Sequence, residues 1–425
     1  MVILREFDLE PGDTLSQQEL NDIMAQSKAR LESTFLFTRC QILQIPDSVL
    51  LNHCRIQVIV IENWFVYPYF IFELADRNLN VWIREQDVSL SRANIGLGIT
   101  HLNLSGKKDR LKFRGHSGYT RKAELLYELP YLVGRFGISA HIAIADQKEL
   151  AYRTFLNKPL FYRTDSEDVV FSSAKFSFSI HYRPSATLFH TLKFDQQIVK
   201  IHPDIAQFVN KQFLGGGRTS VTVPSIEYVL RWDKTVYPIY PLGGYRAELR
   251  LKKEGFSSGA DLNTLSTVVQ GELYTRLWSK VFLAQKMKLR KHLLSQSLPY
   301  FFQQGIGYKE DKLTGYDLYV LDGRDFFLVN QALKWQLADR DIFLSGYFPE
   351  AFRKMNLKTF FRFSLDIAYA RDPVFGAQNP YSNSWQVGYG PGLDVLMYHT
   401  MSCSLTYGVT RFGFHHWYFD VGFVF

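Results

Sequence analysis

From about Tyr69 to the last residue, hydrophobic and polar positions alternate in segments of roughly ten residues, each broken by Gly, Asn, Asp, Lys or Ser. A period of two sends successive side chains to opposite faces of a strand. In 401–411 the odd positions are Met401, Cys403, Leu405, Tyr407 and Val409, and the even ones are Ser402, Ser404, Thr406, Gly408 and Thr410. The last segment repeats the scheme, with Trp417, Phe419, Val421, Phe423 and the terminal Phe425 on one face. His416, Tyr418, Asp420 and Gly422 lie on the other. Sixteen such strands are predicted, at 69–76, 93–104, 109–118, 122–130, 137–147, 172–184, 187–199, 220–233, 243–254, 262–278, 281–293, 325–337, 358–370, 386–398, 400–411 and 415–425. The stretches 148–171 and 200–219 leave room to hide or lose a strand.

The first 66 residues read differently. Ser16-Gln17-Gln18-Glu19 is a capping box, with Leu15 and Leu20 placed as its hydrophobic staple. Leu20, Ile23, Met24, Ser27 and Leu31 then recur at helical spacing on one face. Next the period changes to two. Thr38 to Ile45 and Cys54 to Ile61 are predicted strands, and Cys54, Ile56, Val58 and Val60 oppose Arg55 and Gln57, as in a sheet with one face under a helix. An acidic turn, Phe7 to Asp13, precedes the helix, and the unit ends near Trp64. This order of turn, helix and strand pair resembles the last part of a POTRA domain with a short or missing first strand. Residues 1–66 are therefore expected to form a POTRA-like domain and 67–425 a second unit.

Composition says what the strands face. The 425 residues include 35 Phe, 24 Tyr and 7 Trp, about twice the aromatic share of an ordinary soluble enzyme. The longest run free of charges and amides, Trp64 to Phe72, is far short of the roughly 18 apolar residues that a spanning helix needs. High hydrophobicity excludes a disordered chain. A soluble sandwich also alternates, but the aromatic excess and the strand-final Phe425 favour a mainly β protein with a 16-stranded antiparallel transmembrane β-barrel. An even strand number returns both termini to one side, and an open edge in lipid would leave backbone groups unpaired. The net charge of +8 is scattered among aromatics, which suits phosphorylated lipid headgroups better than nucleic acid. Residues 1–15 carry no apolar signal-peptide core, as in a chain numbered from a mature form.

No cofactor, metal or catalytic group is expected. Cys40, Cys54 and Cys403 allow one disulfide at most, between Cys40 and Cys54, and unpaired thiols are the preferred reading. Nothing has the spacing of a zinc site. His415 and His416 are adjacent in a strand and point apart. Gly215-Gly216-Gly217-Arg218 lacks the Lys-Ser/Thr that would make it a phosphate cradle, and no GxSxG elbow occurs. Asn103-Leu104-Ser105 fits a glycosylation sequon but reads better as a turn.

Several local patterns resemble the BamA/TamA superfamily of outer-membrane assembly and secretion barrels. Asn103-Leu104-Ser105-Gly106 with the charged step Lys107 to Arg110 resembles its NLxG turn, and Glu128-Leu129-Pro130-Tyr131 its strand-ending xxPY. Leu313-Thr314-Gly315-Tyr316 falls between the eleventh and twelfth strands, where that family's long sixth loop carries a V-R-G-F/Y motif and folds back into the barrel. Here Thr314 replaces the arginine, whose acidic partners on the inner wall would correspond to Asp366 and to the position of Lys334. Two readings follow: Lys334 pairs with Asp366 directly while Gly315 and Tyr316 still dock the loop, or the loop sits more loosely.

The resemblance implies an outer-membrane protein of a Gram-negative bacterium whose N-terminal domain lies in the periplasm. It implies a weak seam between the first strand and the last, with Tyr418, Phe419, Val421, Phe423 and Phe425 as the terminal strand signal. Client outer-membrane or secreted polypeptides would add a strand there, and accessory lipoproteins are possible further partners beside the lipid bilayer. The alternatives are a pore of the two-partner-secretion type, passing a polypeptide or solutes, and a membrane anchor or receptor without insertase activity.

Overall fold

A computed structural model of the chain describes all residues except 1–2, 4–8, 10, 33–35, 47–52, 63, 167, 186, 236–239, 258–259, 295–297, 309, 344–353, 399–400 and 424–425. Phe7, Asp8 and Glu10 of the expected acidic turn, and Phe425, lie outside the described residues. The N-terminal elements are α1 (Gln17–Glu32), β1 (Phe37–Pro46) and β2 (Cys54–Glu62). The capping box forms: the Ser16 N–H donates to Glu19 Oε2 at 2.9 Å and the Glu19 N–H returns to Ser16 Oγ at 3.3 Å. These bonds hold the Glu19 carboxyl below its ordinary value. Leu20, Ser27 and Leu31 are buried along the expected helix face. Among the described residues β1 and β2 pair only with each other, and Cys40 faces Val60 while Cys54 faces Pro46. Six ladder positions separate the two thiols, far beyond the reach of a disulfide.

The remaining elements are β3 (Val66–Leu74), α2 (Leu79–Glu85), β4 (Ala93–Leu102), β5 (Arg110–Gly118), β6 (Thr120–Val133), β7 (Phe136–Gln147), β8 (Glu149–Phe155), β9 (Lys158–Arg163), β10 (Phe171–Tyr182), β11 (Leu188–Ile201) and β12 (Ser220–Asp233). They continue with β13 (Gly244–Glu254), β14 (Thr264–Trp278), β15 (Val281–His292), β16 (Asp325–Phe343), β17 (Lys354–Arg371), β18 (Gln386–Met397), β19 (Met401–Thr410) and β20 (His415–Phe423). Sixteen of these strands form one antiparallel sheet in chain order from β3 to β20, omitting only β8 and β9. Every strand expected from alternation is present in it. The stretch 148–171 does conceal strands, but β8 and β9 form their own hairpin outside the large sheet. β16 runs six residues past its expected end, through a register shift between Gln336 and Ala338, because the ladder continues where the apolar alternation has given way to Asp339, Arg340 and Asp341. β6 continues through Pro130 and Tyr131 with a register shift after Leu129.

Parity is kept across the sheet. Large apolar residues on the outer face are exposed to the surroundings, among them Phe70, Leu97, Phe176, Leu333, Phe361 and Trp417. A continuous apolar belt of this kind is unfavourable against water and favourable against hydrocarbon. The inner face is mixed. Near the middle it carries charged and hydroxyl groups, whereas at the end remote from the N-terminal unit it supplies Phe171, Val199, Val221 and Val223 to a core that also includes Ile205, Phe213 and Leu298 from the connections. Among the described residues, neither β3 nor β20 has a strand partner on its outer side. The sheet nevertheless curls far enough that the β3–β4 connection touches β20, through Asn80 and Phe419. No described helix is long and apolar enough to cross a membrane.

Candidate functional site

The described residues of the connection between β15 and β16 (293–324) fold back inside the curled sheet. Its base is clamped at the remote end. The β8–β9 turn holds Leu156 and Asn157 at positive φ of 50° and 60°, which is the two-residue geometry that suits a hairpin's twist. The fully buried Asn157 side chain then serves two connections at once, donating to Val320 O at 2.9 Å and accepting the Tyr381 N–H at 2.9 Å. The Asp322 carboxylate accepts from the hydroxyls of Thr154 and Tyr308. Burial raises the Asp322 carboxyl above its ordinary value.

The tip of this connection is Leu313-Thr314-Gly315-Tyr316, and it lies flat on the inner wall. Gly315 has φ +86°, and a methyl group there would lie 2.9 Å from the Val409 carbonyl carbon, so backbone meets backbone. The wall is equally bare. A methyl on Gly388 would come within 1.8 Å of Thr314 O, and one on Gly408 within 2.6 Å of Gly315 N. Tyr316 is buried, and its hydroxyl donates to Gln386 Oε1 at 2.9 Å. The Tyr418 hydroxyl donates to Gly315 O at 2.7 Å, tying the tip to the last strand. Lys312 forms an ion pair with Asp420 on that strand.

Thr314 takes over the task expected of Lys334. Its N–H and its hydroxyl both donate to Asp366 Oδ2, at 2.8 and 2.7 Å. The expected Lys334–Asp366 pair does not form. In the β16–β17 ladder Asp366 stands opposite Asn330 and Lys334 opposite Arg362, four positions away. The Lys334 ammonium instead lies 3.6 Å above the centre of the Tyr240 ring, a favourable site for a cation taken out of water. The Tyr240 hydroxyl donates to Asp394 at 2.6 Å, and the Arg362 Nε–H is shared between both oxygens of the same carboxylate at 3.1 and 2.9 Å. The ion pair next to Lys334 is thus Arg362–Asp394. Leu313, Thr314, Lys334, Arg362, Asp366 and Tyr418 line one cavity of about 380 Å³.

Residues of the last strand divide by parity. Tyr418 is buried inward, while Phe419 and Val421 are exposed outward; Phe423 ends β20. Sequence reading did not find Asn157, Tyr240, Gly388, Gly408 or Asp394. One signal was available: Gly388, Gly390 and Gly392 alternate along β18, which strips one face of side chains. His415 Nδ1 lies 3.0 Å from Gly413 O, and His416 Nδ1 lies 3.0 Å from Arg84 Nη1. The Asn103 turn is closed by the Lys108 N–H donating to Asn103 Oδ1 at 2.9 Å.

No family model and no curated protein matches the sequence. Solved structures do. BamA from Haemophilus ducreyi lacking POTRA domains 1-3 superposes with a TM-score of 0.62 at 13% identity, over 99% of this chain and 81% of that one. CdiB from Escherichia coli gives 0.60 at 14% identity, over 99% and 73%. CdiB from Acinetobacter baumannii gives 0.53 at 12%, over 98% and 70%. The chain has the fold of these BamA- and CdiB-type barrels.

Proposed function

We propose that the chain is an outer-membrane barrel that assembles or inserts client proteins by accepting their strands at a lateral seam between β3 and β20. The observation that carries this reading is the contrast between a sheet paired along fourteen inner strands and two end strands with no outer strand partner among the described residues. In hydrocarbon an unpaired edge is costly, so a client strand added there satisfies backbone groups and buries an apolar face without any nucleotide. The outward apolar belt supports residence in the lipid bilayer of a Gram-negative outer membrane, with residues 1–66 as a POTRA-like periplasmic domain that receives clients or accessory lipoproteins.

A second reading is translocation of a polypeptide, since the fold is as close to CdiB as to BamA. The filled interior speaks for the seam. Connections enter from the remote end, and Tyr240 packs with Phe282, Phe360 and Leu396 inside the sheet. Depletion in the native host separates the readings: loss of many unrelated outer-membrane proteins supports assembly, and loss of a single secreted partner supports transport. Cysteines placed in β3 and β20 provide the direct test. If locking that seam leaves client insertion unchanged, the proposed role fails.

A further inference from the structure

The outer edge of β20 is already occupied at one point, by a side chain. Asn78 caps α2 by accepting the Val81 N–H at 2.9 Å. Two residues on, the Asn80 amide, 4% exposed, faces the edge of β20. Its Oδ1 accepts the Phe419 N–H at 3.0 Å and its Nδ2 donates to Phe419 O at 3.4 Å. One donor and one acceptor matched to both backbone groups of a single residue is what an opposing strand residue would provide. Alternate residues of an antiparallel strand present both groups to the same side, so Trp417 and Val421 share the free side of Phe419. Asn80 therefore fills one position of a row built for a strand.

We propose that α2 is a latch that caps the β20 edge through Asn80 and ties that edge to the docked loop. The tie is made by neighbouring residues. The Asn78 amide donates to Asp317 O at 2.8 Å and Arg77 donates to Leu318 O at 2.5 Å, both in the 293–324 connection. Arg84 Nη1 donates to His416 Nδ1 at 3.0 Å, a second hold on β20, and Glu85 pairs with Lys158 of the hairpin at 2.6 Å. A single amide satisfies the edge better than hydrocarbon does and worse than an incoming strand, which offers a hydrogen-bonding residue at every second position. The latch keeps the edge from indiscriminate pairing and yields to an extended chain. It rests on the seam reading only for what displaces it.

The test is amide hydrogen exchange of the full-length protein in lipid nanodiscs, resolved over β20. Asn80→Ala is expected to speed exchange of the Phe419 amide about tenfold, the equivalent of one buried hydrogen-bonded contact, with β11 unchanged. Asn80→Asp, which keeps the acceptor for the N–H but sets an oxygen against Phe419 O, shifts it in the same direction. Arg84→Ala, at an exposed site that folding tolerates, gives a smaller rise of roughly threefold. Unchanged exchange at Phe419 in folded Asn80→Ala protein overturns the latch. So does an equal rise in β11, which would mean general loosening. Insertion of a reporter β-barrel into proteoliposomes is measured alongside. Faster exchange without faster insertion leaves the latch standing and removes the seam function instead.

Discussion

The loop tip on β17–β19 and the α2 contact on β20 are both places where a connection meets the wall of the barrel, and they are built in opposite ways. At the tip, backbone lies on backbone, with Gly315 over Val409 and Gly388 under Thr314, and any added atom collides. At β20, one amide reaches one residue of an edge that has no strand partner among the described residues. The first arrangement has no intermediate positions, because packed surfaces without side chains either fit or separate. The second can exchange one partner for another at the cost of two hydrogen bonds. A fixed loop beside an exchangeable edge is what a barrel needs if it is to open on one side without losing its shape.

The largest effect is expected from adding bulk to the floor. Gly388→Val would push its side chain through Thr314 O, and overpacking of this kind costs about 1–3 kcal/mol or more. The tip should leave the wall. Limited proteolysis of refolded protein should then cut within 305–320 while the folded barrel keeps its mobility on unheated gels. A tip that stays protected would mean that the dock is softer than its geometry. Next comes Thr314→Val, which keeps the shape and removes the hydroxyl donor to the buried Asp366 carboxylate. Leaving that group short of a partner should cost about 1–3 kcal/mol of loop protection, with Thr314→Ser restoring it.

A smaller, graded effect is expected from pH. Burial, with Asp420 of β20 adding to it, pushes the Asp317 carboxyl up from 3.8 to about 7, against the opposing pull of Lys312 and Arg77. The folded loop binds this proton more tightly than the unfolded chain, so docking is strongest below about pH 4 and is lost progressively as pH rises through 7. Since Asp317 O also receives the Asn78 amide, the latch should loosen over the same window. Protease protection of 305–320 followed from pH 5 to 8 checks the sign, and Asp317→Asn should flatten the profile. A profile that rises with pH would place the charge elsewhere.

Strand positions were readable in the sequence because an outward face that carries exposed large apolar residues along its length repeats them with a period of two. All sixteen strands carry it. It fails where the surroundings change, at Asp339 to Asp341 of β16, where the ladder runs on with polar residues. The loop motif was readable only through resemblance, and its contacts only in part. Gly315 and Tyr316 lie against the inner wall, but the partner of Asp366 depends on ladder register, which alternation does not specify along the strand. Asn80 carries no periodic signal at all. A polar residue in the first turn of a seven-residue helix gains its meaning from a strand 339 positions away.

The smallest expected effect is an absence of coupling. Lys334 and Asp366 line the same cavity and carry opposite formal charges, so proximity in the barrel alone would pair them. Register keeps them four positions apart, or about 13 Å along the strand. A double-mutant cycle on Lys334→Ala and Asp366→Ala, read from denaturant unfolding in detergent, should therefore be additive within about 0.5 kcal/mol. The cycle on Arg362→Ala and Asp394→Ala, whose opposite charges meet through one N–H shared by both carboxylate oxygens, should show coupling of about 1–3 kcal/mol. The two cycles share a strand and a cavity, so global loosening would affect both alike. Coupling in the first as strong as in the second would move Lys334 off the Tyr240 ring and toward the loop, and with it the assignment of Thr314 as the donor that holds the tip.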